Sequence, residues 1–234
     1  MDLEKSFRLL RLFALVPFLF GPADLNAHDA EAVLAGEATV YENQTDNNGG
    51  GDSQVCIGNI ATDVRRAFVR YTLPAIAAGS TVYRVVWAIL QDQVSDPGPG
   101  PLAATLQVRR VTSAWVEGTG SGGGSGPCDG GENVAGVDWA TQPTVAAADS
   151  AAAALSADDQ VNVVIDTGFD TGNDGLIADV QAWVDNGATN FGWRLAVVEE
   201  GTADNARALT PGTLTIHWTP PGEDHLFSDG FETP

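Results

Sequence analysis

The chain has 234 residues with 31 acidic and 11 basic side chains, which gives a formal net charge of −20 at pH 7. A surface of this sign repels phosphate groups, which disfavours nucleic acid and anionic membrane surfaces as partners, whereas cations, neutral glycans and basic protein patches remain compatible. The length suits one β-sandwich or barrel domain as readily as two smaller domains, and no linker divides the chain.

Residues 1–27 have the pattern of a signal peptide. Three basic side chains precede an apolar run over residues 12–20 that is too short to span a bilayer. Cleavage is expected after Ala27, with Ala23 and Ala32 as alternatives, and the other interpretation is an amphipathic first helix of the folded domain. We therefore expect a secreted, extracellular protein whose mature chain does not insert into a membrane.

Eight segments have strand composition and are separated by Gly, Pro, Asn and Asp. They are residues 38–42, 54–58, 66–73, 81–91, 102–112, 160–166, 191–198 and 213–219. Several alternate apolar with polar or mixed side chains, as strands with one buried face do. We predict an all-β domain over residues 28–219, an antiparallel two-sheet β-sandwich of jelly-roll type with one short helix, followed by a flexible tail over residues 220–234.

The short helix is predicted over residues 176–186, where apolar side chains recur at helical spacing. Asp174 is placed to cap its start and Gly187 to stop it. The alanine-rich stretch 146–157 allows either a second helix or a loosely packed crossing loop, because it has no large side chains to anchor it.

Cys56 and Cys128 are the two cysteines of the chain. Neither has a Cys or His at metal-ligand spacing, and the chain carries an export signal, so a disulfide is predicted rather than a metal site. The bond would attach the glycine-rich stretch 118–131 to an early strand.

Four motifs follow one another along the chain. They are AFVRYTLP at 67–74, VRRVTSAWVEGTG at 108–120, GVDWATQP at 136–143 and ADVQAWVDNGATNFGWRL at 178–195. In this order they resemble the DNRLRE-domain family over most of the mature chain. The resemblance implies a β-sandwich module on a secreted bacterial or archaeal protein, related in some members to alginate-binding carbohydrate modules. The ending LFSDGFETP resembles a terminal motif of exported proteins in some Gram-negative bacteria.

The chain departs from that family at residues 203–209, ADNARAL, which keep Asp204, Asn205 and Arg207 but lack the family's glutamate. The adjacent pairs 65–66 and 109–110 place one arginine on each face of a strand, which favours single ion pairs with neighbouring carboxylates. With a net charge of −20, direct affinity for alginate is not expected unless bound calcium bridges the two.

Catalysis is not expected from the residues. Lys5 precedes the expected cleavage position and is the only lysine, and no HExxH motif is present. The three histidines are placed near the cleavage site, on a predicted strand and in the tail, so a Ser-His-Asp site has almost no usable histidine. The string GTGSGG at 118–123 lacks the helix that phosphate binding needs and is interpreted as a flexible loop.

Oxygen-bearing side chains cluster at Asp46, Asn48 and Asp52. Calcium prefers several such ligands in a flexible loop, so this turn is the candidate site for structural calcium. The alternative is a solvated turn held by local hydrogen bonds.

Six tryptophans are many for this length. Trp87, Trp183 and Trp193 lie in apolar patterns and are predicted to pack in the core. Trp115 and Trp139 each adjoin a loop and are the candidates for an exposed or half-exposed platform that binds a sugar ring.

Three functions remain open. The first is a secreted, non-catalytic module that binds extracellular carbohydrate or acts in cell-surface adhesion. The second is a structural or protein-interaction module of the matrix or envelope. The third, a polysaccharide-degrading enzyme, requires a carboxylate pair in a cleft that the sequence does not locate.

Overall fold

The computed structural model describes residues 27–94, 103–121, 128–158, 160–168 and 172–223. Residues 1–26, 95–102, 122–127, 159, 169–171 and 224–234 lie outside these ranges, and so do most of the predicted signal peptide and tail.

The described part contains ten β-strands, one α-helix and one 3₁₀ turn. The strands are β1 (His28–Tyr41), β2 (Gln44–Asn48), β3 (Val55–Ile60), β4 (Asp63–Thr72), β5 (Thr81–Val94), β6 (Ala104–Arg110), β7 (Ala151–Leu155), β8 (Val161–Asp166), β9 (Trp193–Val197) and β10 (Arg207–Thr219). The helix α1 spans Asp174–Asp185 and the 3₁₀ turn spans Gly187–Thr189. Within the described ranges, no helix is long and apolar enough to cross a bilayer.

The strands form two antiparallel sheets, which confirms the predicted all-β sandwich. Sheet A has the order β1–β10–β5–β8, and sheet B has the order β2–β1–β4–β9–β6–β7. Strand β1 belongs to both, because its first residues pair with β10 and its later residues pair with β4. Strand β3 also joins the sheets by pairing with β10 and β4.

The main core lies between the two sheets and is centred on three tryptophans. The ring of Trp193 lies 5.2 Å from that of Trp87 and 4.6 Å from that of Trp183, between ring centres. All three are buried, as predicted. Each large side chain buried in this way contributes roughly 1.5–3 kcal/mol to stability.

Helix α1 is confirmed, but its ends differ from the prediction. The N-cap residue is Asn173, whose side-chain oxygen instead accepts the backbone N–H of Ala152 at 2.9 Å. Asp174 is the first helical residue, where its negative charge still favours the helix dipole. Asn186 ends the helix and Gly187 begins the 3₁₀ turn.

The alanine-rich stretch forms strand β7, neither of the two predicted alternatives. Its residues pair with β6 from Ala104–Leu155 to Val108–Ala151. Alanine favours helices by propensity, but pairing with an existing strand edge overrides that preference. Strand β2 was also missed, because its sequence QTDNN has no apolar alternation. Strands β1 and β10 begin earlier than predicted, at His28 and Arg207.

The predicted disulfide is present. Cys56 on β3 is bonded to Cys128, 72 residues later in the chain. The buried Arg65 supports the same junction, since its Nε donates to the carbonyl oxygen of Cys128 at 2.7 Å and its guanidinium pairs with Asp63 at 3.1 Å. The bond therefore attaches the end of the glycine-rich stretch to β3, the strand that pairs with both sheets.

Reduction of this disulfide should lower the free energy of unfolding by about 4 kcal/mol, because a closed loop of this length restricts the unfolded chain strongly. Urea denaturation with and without a reductant, followed by tryptophan fluorescence, measures the change. A variant with both cysteines replaced by alanine should show no effect of the reductant. Equal midpoints for the oxidised and reduced wild type would contradict the prediction.

Candidate functional site

The outer face of sheet B is divided into a covered part and an open part. The long connection between β6 and β7 folds over β1 and β4 and forms a second, smaller core. Its buried members are Ala38, Val40, Phe68, Val111, Trp115 and Val137. The remaining outer face, on β9, β6 and the start of β4, carries polar side chains that are not covered by this core.

Trp115 belongs to the smaller core, so its expected exposure is wrong. Only 7% of the residue is exposed, and its indole N–H donates to the carbonyl oxygen of Phe191 at 2.7 Å. The ring lies against Phe68 and under the guanidinium of Arg70, at 5.9 and 5.3 Å. Trp115 anchors the connection onto the sheet, and its sugar-binding role stays a prediction.

Trp139 lies at the border between the covered and open parts and is half-buried, as predicted. The guanidinium of Arg66 stacks on its ring at 4.6 Å. One face of the indole is therefore already occupied by a cation, which holds both side chains in place.

Three arginines lie side by side on the open part, and we call this surface the arginine face. Arg194 on β9 is the register partner of Arg109 on β6 and of Phe68 on β4. Arg66 comes two residues before Phe68 and so lies on the same side of β4. The strand order β4–β9–β6 thus places Arg194 between Arg66 and Arg109.

Two of the three guanidinium groups are neutralised by carboxylates. Arg66 binds both oxygens of Glu200, at 2.7 and 2.8 Å, and the Nε of Arg109 donates to Asp149 at 2.6 Å. Arg194 forms no ion pair with any residue that the structure describes. The three arginines and the two carboxylates that bind them thus leave one guanidinium, that of Arg194, without an ion pair among the described residues.

Arg194 is half-buried and incompletely hydrogen-bonded. Its Nη2 donates to the side-chain oxygen of Gln107 at 3.1 Å, while its buried Nε has no hydrogen-bond partner among the described residues. Burial, and then the positive charge of Arg66, lower the pKa of Arg194 from its ordinary value. A half-buried guanidinium without an ion pair is stabilised by a bound anion, because the anion supplies the opposite charge.

The predicted calcium turn is organised by Asn48. This residue is fully buried, and its side-chain oxygen accepts the N–H groups of Gly50 and Gly120, at 3.3 and 3.1 Å. Its amide nitrogen donates to the carbonyl oxygen of Val134 at 3.0 Å. Asn48 therefore joins three loop segments and has its oxygen already engaged twice.

The other two members of this turn lie in different surroundings. Asp46 is exposed, whereas Asp52 is half-buried near the hydroxyl of Tyr41. In the ranges given above, no group of three or more His, Cys, Asp or Glu side chains is positioned to hold a metal ion. Calcium at this turn stays a prediction.

The residues shared with the DNRLRE motif have structural contacts. The side-chain oxygen of Asn205 accepts the N–H of Asn59 at 2.8 Å, and that of Asp204 accepts the N–H of Ala61 at 3.2 Å. Arg207 is fully buried and donates to backbone carbonyl oxygens, including that of Ser156 at 3.0 Å. These contacts hold the β3–β4 turn against the start of β10.

Two grooves flank the C-terminal end of α1 and share the side chain of Trp183. One has a volume of about 570 Å³ and lies beside the connection from β4 to β5. The other has a volume of about 420 Å³ and lies beside the end of β6. Neither contains a predicted site residue, and the arginine face lies outside both.

Comparison with known proteins does not assign this chain to a family. No protein-family model matches the chain. No curated protein matches it either. The resemblance to the DNRLRE-domain family remains a hypothesis drawn from the four sequence motifs.

Replacement of Asn48 by alanine should lower the free energy of unfolding by about 3 kcal/mol, because it removes three hydrogen bonds and leaves buried backbone groups unpaired. Urea denaturation measures this change. Asp46→Ala is the matched control at an exposed position of the same strand, with an expected change within about 0.5 kcal/mol. A similar, small change in both variants would contradict the structural role of Asn48.

Proposed function

We propose that the protein is a secreted, non-catalytic module that binds an extracellular carbohydrate on the arginine face, and that this carbohydrate carries carboxylate or sulfate groups. The observation that supports the proposal is Arg194, a half-buried cation without a carboxylate partner among the described residues. Arginine binds carboxylate and sulfate oxygens through paired N–H donors, and water exclusion strengthens such contacts.

The proposal is compatible with the net charge of −20. At physiological ionic strength, charges more than about 8 Å apart are largely screened. Binding on the arginine face therefore depends mainly on the groups close to Arg194. These include two further arginines and the two carboxylates that bind them.

The border of the face is held by contacts within the protein. Arg66 is held by both oxygens of Glu200, by the ring of Trp139 and by a longer contact to the side-chain oxygen of Gln142 at 3.4 Å. A side chain fixed in this way loses little further conformational entropy on binding. The exposed edge of Trp139 is then available for contact with the apolar face of a sugar ring.

The proposed module is non-catalytic, because the carboxylates of the arginine face already bind arginine side chains. Glycoside hydrolysis requires an acid and a second carboxylate that face the scissile bond. Glu200 and Asp149 instead bind Arg66 and Arg109. Their lone pairs are engaged by guanidinium groups, which disfavours proton transfer to a substrate.

Export is supported by two features of the chain. Residues 1–27 have a signal-peptide pattern, and the Cys56–Cys128 bond is of the kind that persists in oxidising compartments. An extracellular location would bring the arginine face into contact with polysaccharides of the matrix or envelope.

Arg194→Gln should weaken binding of an acidic oligosaccharide by about tenfold or more, because a charge-assisted hydrogen bond is lost from a partly buried site. A glycan array of uronate, sulfated and neutral oligosaccharides identifies an oligosaccharide that the wild type binds. Calorimetry with that oligosaccharide then measures the affinity of each variant. The measurements are made with calcium and with a chelator, which separates direct contact from bridging by a cation.

Arg84→Gln is the matched control. Arg84 lies on β5 in sheet A and pairs with Asp166 at 2.5 Å, away from the arginine face. Its replacement should leave the affinity unchanged. Equal losses in the two variants, or no retention of any glycan by the wild type, would contradict the proposal. In the second case, self-association or capture of a basic protein would favour a structural or protein-interaction module.

A further inference from the structure

Glu37 is a buried carboxyl group on strand β1. Only 9% of the residue is exposed, and its Oε2 has no hydrogen-bond partner among the described residues. Glu37 is the register partner of the buried Val69 on β4, so its side chain is on the face of β1 that points towards the main core. Burial of a carboxylate without a partner is strongly unfavourable, whereas a protonated carboxyl group is tolerated better.

Two further carboxylates lie near Glu37, on two different loops. The Oε1 of Glu117, from the connection after β6, accepts the backbone N–H of Glu37 at 2.8 Å. Asp52, from the loop between β2 and β3, acts on Glu37 as a second negative charge. The positive charge on this side is Arg70, whose terminal nitrogen and Glu117 Oε2 both border Gly36.

Two tyrosine hydroxyl groups are the remaining titratable groups near Glu37 and Asp52 among the described residues. Tyr71 from β4 lies near Glu37 and donates to the carbonyl oxygen of Gly212 at 2.7 Å, and Tyr41 lies farther along β1 beside Asp52. Burial raises the pKa of both hydroxyl groups well above neutral pH. Near neutral pH, charge changes at this cluster therefore come from carboxyl groups alone.

The two loops that carry Asp52 and Glu117 meet in a tight backbone contact, which we call the loop seam. The N–H of Gly51 donates to the carbonyl oxygen of Gly120 at 2.6 Å. The N–H of Gly49 joins the first of these loops to β1 by donating to the carbonyl oxygen of Thr39 at 2.9 Å. A Cβ atom added at Gly50 would lie 2.2 Å from the carbonyl oxygen of Glu117. The seam has no room for a side chain at Gly50, so the two loops are in direct backbone contact there.

We propose that Glu37 is a pH-sensitive latch for the loop seam, closed when its carboxyl group is protonated and loosened when it ionises beside Glu117 and Asp52. Ionisation adds a third negative charge to a cluster that already spans the strand and both loops. The two loops can relieve the repulsion by moving their carboxylates away from β1, which opens the seam.

The surroundings of Glu37 place the pH at which the latch responds near neutrality. Burial, then Glu117, then Asp52 raise the pKa of Glu37 from 4.5 to about 7. Because the pKa is raised in the folded state, the stabilisation is fully present below about pH 4.5 and is lost as the pH rises through about 7. The seam should therefore be tighter in mildly acidic than in mildly alkaline solution. This inference does not depend on the proposed carbohydrate binding.

Hydrogen exchange of the full mature chain tests the latch. After correction for the intrinsic exchange rate, opening of the segments at residues 44–54 and 115–121 should increase about tenfold from pH 6 to pH 8 in the wild type. Glu37→Gln, which mimics the protonated form, should abolish this increase. Glu31→Gln, at an exposed position of the same strand, should retain it.

A carbon-13 NMR titration of the glutamate side chains provides a second readout on the wild type, which decides the question even if Glu37→Gln fails to fold. Glu37 should titrate near pH 7, and Glu117→Gln should shift its midpoint to lower pH. A midpoint near 4.5 in the wild type, or an undiminished pH effect on the two segments in Glu37→Gln, would overturn the proposal.

Discussion

The hydrogen bond from the indole N–H of Trp193 to Asp179, at 2.9 Å, fixes the part of the structure on which the arginine face depends. Asp179 on α1 also accepts the hydroxyl of Ser150 at 2.5 Å and lies 3.4 Å from Arg110. One buried carboxylate thus joins α1, β9, the end of β6 and the residue that precedes β7. Because Trp193 is held on the inner side of β9, strand alternation places Arg194 on the outer side.

Much of the fold could be predicted from the sequence where large side chains follow a clear period. The alternation at residues 66–73 and 213–219 and the helical spacing at 176–186 all correspond to observed elements. Strands β2 and β7 could not be predicted, because QTDNN and AAAAL have no such period and become strands only through their partners β1 and β6. Pairing across the sheet is a tertiary property that a local pattern does not contain.

The candidate site was less predictable than the fold, for a related reason. The sequence places Arg66 and Arg109 on separate strands, and only the strand order brings Arg194 between them. The net charge describes the whole surface and hides a local excess of the opposite sign. For Trp115, the adjoining loop predicts exposure, yet the same loop folds back over β4 and buries the ring.

The disulfide makes a covalent ring of the segment from Cys56 to Cys128, which contains β4, β5 and β6. These strands pair with β1, β10 and β9, which lie outside the ring. A protease that hydrolyses one peptide bond inside the ring leaves the two fragments covalently joined and still paired through both sheets. Such a nicked molecule differs from the intact chain by one added water molecule, and its separation into two chains requires reduction of the disulfide.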